Sequence, residues 1–165
     1  MVLSKKEIIS RKLVTETISP LQFQPAGVDL TVKEVYDFLS SFGRIDLDNS
    51  ERQLPDTQMV HFLEDDWIFL PKGPYKIVYN EIVHIPSDCA GFAFPRSSLL
   101  RCGVNIQCAV WDPGYEGRSE SLLVVENPNG VKLKRNARIV QLVFMKLSGE
   151  TGETYSGKYN KENIK

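Results

Sequence analysis

Residues 67–95 read WIFLPKGPYKIVYNEIVHIPSDCAGFAFP, and this stretch decides the fold class. Proline and glycine interrupt it at Pro71-Lys72-Gly73-Pro74, a strong turn sequence. Strands this short, separated by turns, indicate an all-β sandwich or barrel rather than alternating βαβ units. The four strand candidates within the stretch are Trp67–Leu70, Tyr75–Tyr79, Glu81–Ile85 and Ala90–Phe94.

The same pattern extends in both directions along the chain. On the N-terminal side, the capping-box spacing of Ser4 and Glu7 predicts a short helix, and Ala26–Val32 alternates as a strand does. Residues 33–42 fit a helix and a strand equally well, and residues 33–66 match no pattern that we can interpret. On the C-terminal side the strand candidates are Val104–Trp111, Ser121–Glu126, Val131–Lys134 and Ile139–Leu147.

Length and composition limit the classes of protein that this chain can represent. Its 165 residues fit one domain, which we place at 1–150, followed by a flexible tail at 151–165. Twenty basic and twenty-one acidic residues give a net charge of -1, which argues against a general nucleic-acid binder. No apolar run approaches the roughly 18 residues of a membrane span. Three cysteines without a zinc-type spacing favour a reduced, cytoplasmic chain.

The segment from Phe94 to Gly103 predicts a second short helix with an anion site at its start. Ser97 or Ser98 can cap this helix, and Gly103 can end it in a left-handed conformation. Arg96 adds a forked, permanently charged donor that suits phosphate. The alternative is an ordinary capped helix between two strands.

The segment Trp111-Asp112-Pro113-Gly114-Tyr115 places a carboxylate at a strand end beside a rigid turn. A carboxylate held in this way can activate a water molecule as a general base. The alternative is a hairpin in which Asp112 bonds only to its own backbone.

A lone acid, Asp29, stands in the apolar sequence Gly27-Val28-Asp29-Leu30. A buried acid needs a partner, and Arg138 is a candidate. Arg138 and Gln141 are three residues apart and would lie on opposite faces of an ideal strand, so we expect Arg138 to belong to the preceding turn.

Taken together, these segments resemble the trimeric dUTPase and dCTP deaminase superfamily, closest to an archaeal-type dUTPase with deaminase-like termini. The resemblance covers most of the chain except residues 33–66. It implies a distorted β-barrel of the jelly-roll-like, β-clip type. The segments that carry it are Gly27-Val28-Asp29-Leu30, Arg96-Ser97-Ser98-Leu99, Asp112-Pro113-Gly114-Tyr115-Glu116-Gly117, Arg138-Ile139-Val140-Gln141-Leu142 and the tail Tyr155-Ser156-Gly157-Lys158-Tyr159.

The resemblance also implies an activity and a set of site residues. The expected reaction is hydrolysis of dUTP to dUMP and pyrophosphate by a homotrimer with shared active sites, with Mg²⁺ carried by the triphosphate and no direct protein ligand. Asp112 is the expected catalytic residue, Tyr115 packs on the deoxyribose, and the tail closes over the nucleotide as a lid. The expected substrate-binding residues are Arg96, Ser97, Ser98, Arg101, Asn105, Tyr115, Arg138, Gln141, Lys158 and Tyr159.

Two other functions stay open at the level of sequence. The deaminases of this superfamily carry a glutamate about ten residues after the motif aspartate, where this chain has Leu122 or Leu123. Glu120 lies on the same strand face as Leu122, so a slipped alignment would allow a dCTP deaminase, either mono- or bifunctional. The base-reading hairpin between Arg96 and Asp112 is also shorter than usual, which leaves uracil or cytosine preference undecided. A non-catalytic nucleotide-binding regulator is the third reading.

Overall fold

The structure is a computed structural model that describes residues 1–149 and 151–164. The predicted domain end at Glu150 and the last tail residue, Lys165, lie outside the described residues. These described residues form two α-helices, α1 at Lys5–Ser10 and α2 at Ser97–Arg101, and one 3-10 turn at Pro20–Gln22. The strands are β1 Val14–Thr15, β2 Phe23–Gln24, β3 Gly27–Phe38, β4 Thr57–Val60, β5 Trp67–Leu70, β6 Gly73–Tyr79, β7 Ile82–His84, β8 Cys89–Pro95, β9 Val104–Gln107, β10 Glu116–Gly117, β11 Glu120–Val125, β12 Val131–Lys134 and β13 Arg138–Lys146.

Both short helices form where the sequence predicts them. The N-terminal cap of α1 is also as predicted, but that of α2 is not. In α1, Ser4 and Glu7 form the predicted capping box, and Ile8 is buried. In α2, the prediction that Ser97 or Ser98 caps the helix is wrong. Arg96 is the N-cap residue, because its extended backbone directs its carbonyl oxygen to the amides of Leu99 and Leu100 at 2.9 and 3.2 Å.

The long strand β3 organises the main sheet, whose strand order is β8-β13-β3-β6-β11-β9. Its first half pairs with β13, and its second half pairs with β6 and β4. A register shift between Val32 and Glu34 leaves Lys33 as an extra residue, so the strand can bend from one set of partners to the other. The uncertain segment 33–42 is therefore a strand as far as Phe38.

The sheet curves into a nearly closed barrel, which confirms the predicted all-β class. The seam is joined where Gly91 and Trp111 exchange backbone hydrogen bonds of 2.8 and 3.1 Å. The predicted strand Val104–Trp111 therefore ends at Gln107, and the chain returns to the sheet only at Trp111. The N-terminus closes the other side, since the amides of Leu3 and Lys146 pair with the carbonyls of Phe144 and Met1.

The strand alternation divides the sheet into a core face and an outer face. Along β11, Ser121, Leu123 and Val125 point into the core, whereas Glu120 and Leu122 lie on the outer face. This outer face forms the floor of the cavity described below. No helix among residues 1–149 and 151–164 is long and apolar enough to cross a membrane.

Candidate active site

A cavity of about 380 Å³ lies on the outer face of the main sheet. Three separate parts of the chain enclose it: the sheet with the Asp112 turn, the hairpin at residues 39–56 with its flanking strands, and the C-terminal tail. The walls of this cavity are mainly apolar, and few charged side chains line it. The lining residues are Phe38, Leu54, Pro55, Thr57, Lys76, Ala109, Val110, Trp111, Asp112, Tyr115, Ser119, Glu120, Tyr155, Tyr159 and Glu162.

Asp112 reaches the cavity from a tight turn, as its sequence predicts. The amide of Tyr115 donates to the carbonyl of Asp112 at 3.0 Å, and Gly114 adopts a left-handed φ of 85°. Pro113 and Gly114 in this order are typical of a type II turn. The amide of Gly114 also donates to Ile85 at 2.8 Å, which ties the turn to the barrel. The exposed carboxylate of Asp112 is thus held at the cavity by a rigid backbone.

Tyr115 is the buried aromatic wall of the cavity. Its ring meets that of Tyr155 edge-on at 5.9 Å, and its hydroxyl donates to Glu162 at 2.8 Å. Burial raises the pKa of Tyr115 well above its usual value, and the adjacent carboxylate of Glu162 raises it further. Burial also raises the pKa of Glu162. The hydroxyl of Tyr115 is therefore a proton-bearing donor throughout the neutral range.

The C-terminal tail lies across the cavity on its own chain. The amides of Tyr155 and Lys161 donate to the carbonyls of Pro113 and Glu116 at 2.7 and 2.6 Å, and Glu162 accepts from the amide of Arg118 at 3.0 Å. These contacts bring Tyr155, Tyr159 and Glu162 into the cavity wall. The predicted lid residue Tyr159 thus reaches the site, whereas Lys158 is exposed, with its ammonium 6.0 Å from the ring of Tyr159.

The hairpin at residues 39–56 meets the tail from the opposite side. Its two arms are joined by backbone bonds between Arg44 and Gln53 of 2.8 and 3.0 Å. The guanidinium of Arg52 lies 5.5 Å from the centre of the Tyr159 ring, within range of a cation–π contact. The segment that the sequence left uninterpreted therefore forms one wall of the site.

A second group of predicted residues gathers around the buried carboxylate of Asp29. The side chains of Arg96 and Arg138 lie 3.1 and 3.3 Å from its Oδ2 atom. Burial raises the pKa of Asp29, and the two guanidinium groups oppose that rise. Gln141 lies next to the group, because it pairs directly with Asp29 across β13 and β3. The predicted Asp29–Arg138 pair is confirmed. The expectation that Arg138 belongs to the preceding turn is wrong, because Arg138 is the first residue of β13, where a register shift before Val140 turns it towards Asp29.

This second group does not line the cavity of the same protomer. Arg96 follows Gly91 by five residues, directly after the end of β8, and Gly91 pairs with Trp111 beside Asp112. At about 3.3 Å per strand residue, Arg96 lies roughly 16 Å from the level of Trp111, and Asp112 is further away still. Ser97, Ser98 and Arg101 are exposed near Arg96 on α2. Asn105 directs its side-chain oxygen to the amide of Ile106 at 2.8 Å.

Sequence reasoning missed several cavity residues. Phe38, Leu54 and Thr57 come from the segment that carried no motif, so only the three-dimensional pairing of β3 and β4 reveals them. Lys76 stands within an ordinary strand pattern. Glu162 was hidden in a polar tail, although the tail's tyrosines were a usable sign of packing.

Comparison with known proteins defines the class. The chain belongs to the dCTP deaminase-like family, whose model matches residues 2–147. The fold agrees, since the crystal structure of a dCTP deaminase from Agrobacterium tumefaciens superposes with a TM-score of 0.66 at 18% identity, over 87% of this chain. The chain spans 48% of the length of that deaminase.

Within this family, similar proteins carry the name of a hydrolase. A probable deoxyuridine 5'-triphosphate nucleotidohydrolase of Methanosarcina mazei is 50% identical over 163 residues, which are 99% of this chain and 92% of that protein. One from Methanosarcina acetivorans is 55% identical over 87% of this chain and 84% of its own length. A deoxyuridine 5'-triphosphate nucleotidohydrolase of Methanocaldococcus jannaschii is 40% identical over 84% of this chain and 86% of its own length.

Proposed function

We propose that this protein hydrolyses dUTP to dUMP and pyrophosphate. The observation that carries the proposal is a carboxylate, Asp112, held by a rigid turn at the mouth of a largely apolar cavity beside Tyr115. The cavity suits the uncharged nucleoside half of a nucleotide, because three of the four charged residues that line it in the described part of the chain are acids, which would repel phosphates. Relatives at 40–55% identity that are named as dUTP nucleotidohydrolases support the same substrate.

In the proposed reaction, Asp112 accepts a proton from the attacking water. The water oxygen bonds to the α-phosphorus of the triphosphate. The bond from that phosphorus to the oxygen that bridges the α- and β-phosphates breaks, so that pyrophosphate leaves. A carboxylate within reach of the water is a suitable general base for this step. Tyr115 provides a flat apolar surface for the sugar, and its buried position excludes water from that side.

Magnesium enters this proposal as part of the substrate. Mg²⁺ keeps several of its waters and commonly binds through substrate phosphates. Among the described residues, no group of three or more histidine, cysteine, aspartate or glutamate side chains is arranged to hold a metal ion. The proposed contribution of the protein is to position the phosphates that carry the ion.

The phosphates would be held by a neighbouring copy of the chain. Arg96 and Arg138 are oriented by Asp29 and are about one-third exposed, but they lie at the far end of β8 from Asp112. A site that uses both groups needs two protomers, which supports the proposed homotrimer with shared active sites. Ser97, Ser98 and Arg101, exposed on α2, and Gln141 on β13 belong to this phosphate-binding side of the proposal. Asn105 on β9 and Lys158 in the tail are also proposed to contact the substrate.

One observation favours a second candidate, deamination of dCTP. Glu120 lines the cavity on the same strand face as Leu122, where the deaminase glutamate is expected. Its position two residues along the strand displaces its carboxylate by about 6.6 Å from that site. Leu122 itself cannot transfer a proton, so hydrolysis is the better-supported reaction.

The two reactions release different products, which gives a direct test. The purified protein is incubated with magnesium and each of dUTP, dCTP, dTTP and UTP, and both pyrophosphate and ammonia are measured. We expect pyrophosphate and dUMP from dUTP, and loss of most activity in Asp112→Asn with the fold retained. Ammonia release from dCTP without pyrophosphate release from dUTP would overturn the hydrolase assignment, whereas both products together would identify a bifunctional enzyme. Full activity of Asp112→Asn would overturn the role of Asp112.

A further inference from the structure

A charged pair lies on the floor of the cavity, where the surrounding walls are mostly apolar. The ammonium of Lys76 on β6 is 3.3 Å from both carboxylate oxygens of Glu120 on β11. Both side chains are about one-third exposed and face the cavity. Of the described residues that line the cavity, Lys76 is the only cation. The proposed catalytic step on Asp112 makes no use of this pair.

Neighbouring groups hold the pair in a fixed orientation. Lys76 lies over the ring of Tyr36, with its Nζ atom 4.4 Å from the ring centre. The side chain of Asn163 donates to the Oε1 atom of Glu120 at 3.3 Å, so the tail contacts the pair directly. An ammonium and a carboxylate fixed side by side present a donor next to an acceptor. Such an arrangement can read the hydrogen-bonding edge of a planar heterocycle.

We propose that Lys76 and Glu120 read the edge of the pyrimidine base and select uracil over cytosine. This role rests on the hydrolysis of dUTP proposed above. In uracil, the N3–H group donates to the Glu120 carboxylate, and the adjacent carbonyl at C4 accepts from the Lys76 ammonium. In cytosine, the unprotonated N3 faces the carboxylate and the amino group faces the ammonium. Both contacts then become repulsive, which rejects the wrong base.

This assignment supplies a polar side-chain contact that the hairpin residues lining the cavity do not provide. Ala109 and Val110, the hairpin residues that line the cavity, have no polar side-chain atoms. Thr57, Ser119 and Asp112 are the other small polar groups, and Asp112 is engaged at the reacting end. A charged pair in a site partly shielded from water discriminates between donors and acceptors more strongly than neutral groups do.

The test compares Glu120→Gln and Lys76→Gln with the wild-type protein. Each amide can donate as well as accept, so each variant can accommodate either base. Glu126→Gln, at an exposed position just beyond β11, is the matched control. The first readout is kcat/KM for pyrophosphate release from dUTP and from dCTP. The second is the Kd of non-hydrolysable imido analogues of both nucleotides, which measures base preference without turnover.

We expect the preference for the uracil nucleotide to fall about tenfold in both cavity variants and to stay unchanged in Glu126→Gln. An unchanged preference, or an equal loss for both nucleotides, would overturn the reading of the base. A preference that rises would also overturn it, since the pair would then favour cytosine. If the wild-type protein hydrolyses neither nucleotide, the proposed function fails, while the Kd values still decide whether the pair reads the base.

Discussion

At the scale of single residues, the most informative group is the carboxylate of Asp29. It is almost completely buried, and two guanidinium groups contact it, each on a side chain about one-third exposed. The two guanidinium groups repel each other, and the carboxylate between them offsets that repulsion. Asp29 therefore positions both arginines on the phosphate-binding side of the proposed site. A buried carboxylate of this kind is costly to remove when its partners stay behind.

Replacing Asp29 should therefore destabilise the fold more than replacing an exposed acid. We expect Asp29→Ala to lower the free energy of unfolding by about 2 kcal/mol, less than for a fully buried pair because water screens the exposed arginines. Glu51→Ala is the matched control, since Glu51 pairs with Arg44 at 2.6 Å on the exposed surface. We expect it to cost less than about 1 kcal/mol. Denaturant unfolding measures both losses of unfolding free energy, and equal losses in the two variants would contradict the special role of the buried carboxylate.

Glu81 should make stability depend on pH. It is fully buried, its carboxylate accepts from Gln22 at 2.6 Å and from the Thr31 amide at 2.9 Å, and burial raises its pKa above the ordinary value of 4.5. The folded state then binds the proton more tightly than the unfolded chain. Its contribution to stability is complete below the ordinary pKa and is lost as pH rises through the raised one.

The variant Glu81→Gln removes this titration. We expect the unfolding free energy of the wild-type protein to fall relative to that of Glu81→Gln as pH rises from about 4 to about 7. Thermal unfolding of both proteins across this range measures the difference. If the unfolding free energy of the wild-type protein instead rises relative to that of Glu81→Gln as pH increases, the folded state prefers the ionised carboxylate and the prediction is wrong.

At the scale of elements, the contact between the Asp112 turn and the tail can be tested through a glycine. A Cβ atom on Gly114 would lie 2.6 Å from the Cβ of Thr154, and the residue has a φ of 85°. Gly152 has a similar φ of 69°, but a Cβ there would meet nothing within 4 Å. The two alanine variants therefore share the backbone strain, and Gly114→Ala adds a clash with the tail.

We expect Gly114→Ala to displace the tail and Gly152→Ala to leave it in place. Amide hydrogen exchange over residues 151–164 should become faster in the first variant only, and kcat/KM for dUTP should fall about tenfold in the first variant only. Equal exchange in both variants would mean that the turn does not hold the tail.

Removing the tail tests its proposed action as a lid. Deletion of residues 151–165 takes away Tyr155, Tyr159 and Glu162, and so opens one wall of the cavity. We expect turnover to drop sharply while the oligomeric state is retained, because the deleted residues close the site rather than build the barrel. Steady-state kinetics and light scattering measure the two effects. Unchanged kinetics would refute the lid.

The elements also show how far the sequence alone could lead. Turn residues and alternation predicted β5, β6 and β12 closely, and the Pro113-Gly114 turn predicted the placement of Asp112. The cap of α2 was mispredicted, because a serine near a helix start resembles a cap whether or not the backbone places it there. The cavity wall from residues 38–57 could not be predicted, since it depends on which strands pair across long chain separations.

At the scale of the whole molecule, the proposed trimer predicts complementation between two inactive variants. Asp112→Asn lacks the proposed base and Arg96→Ala lacks a proposed phosphate ligand, so each homotrimer should be inactive. If one protomer supplies Asp112 and its neighbour supplies Arg96, every trimer that contains both variants keeps both groups at one of its three sites, about one third of the total. Co-expression with two different tags, purification on both and assay with dUTP should recover that activity. No recovery would place both groups in one protomer's site.

The pairing of β13 with β3 has a consequence for how the chain is made. β3 is synthesised early, but its partner β13 spans Arg138–Lys146, and the first residues of the chain also bond to this last strand. During translation, the first half of β3 therefore lacks this partner until almost the whole barrel sequence has left the ribosome. A chain that stops before Arg138 keeps this edge open to other nascent chains. Such truncated products should depend on chaperones to avoid aggregation.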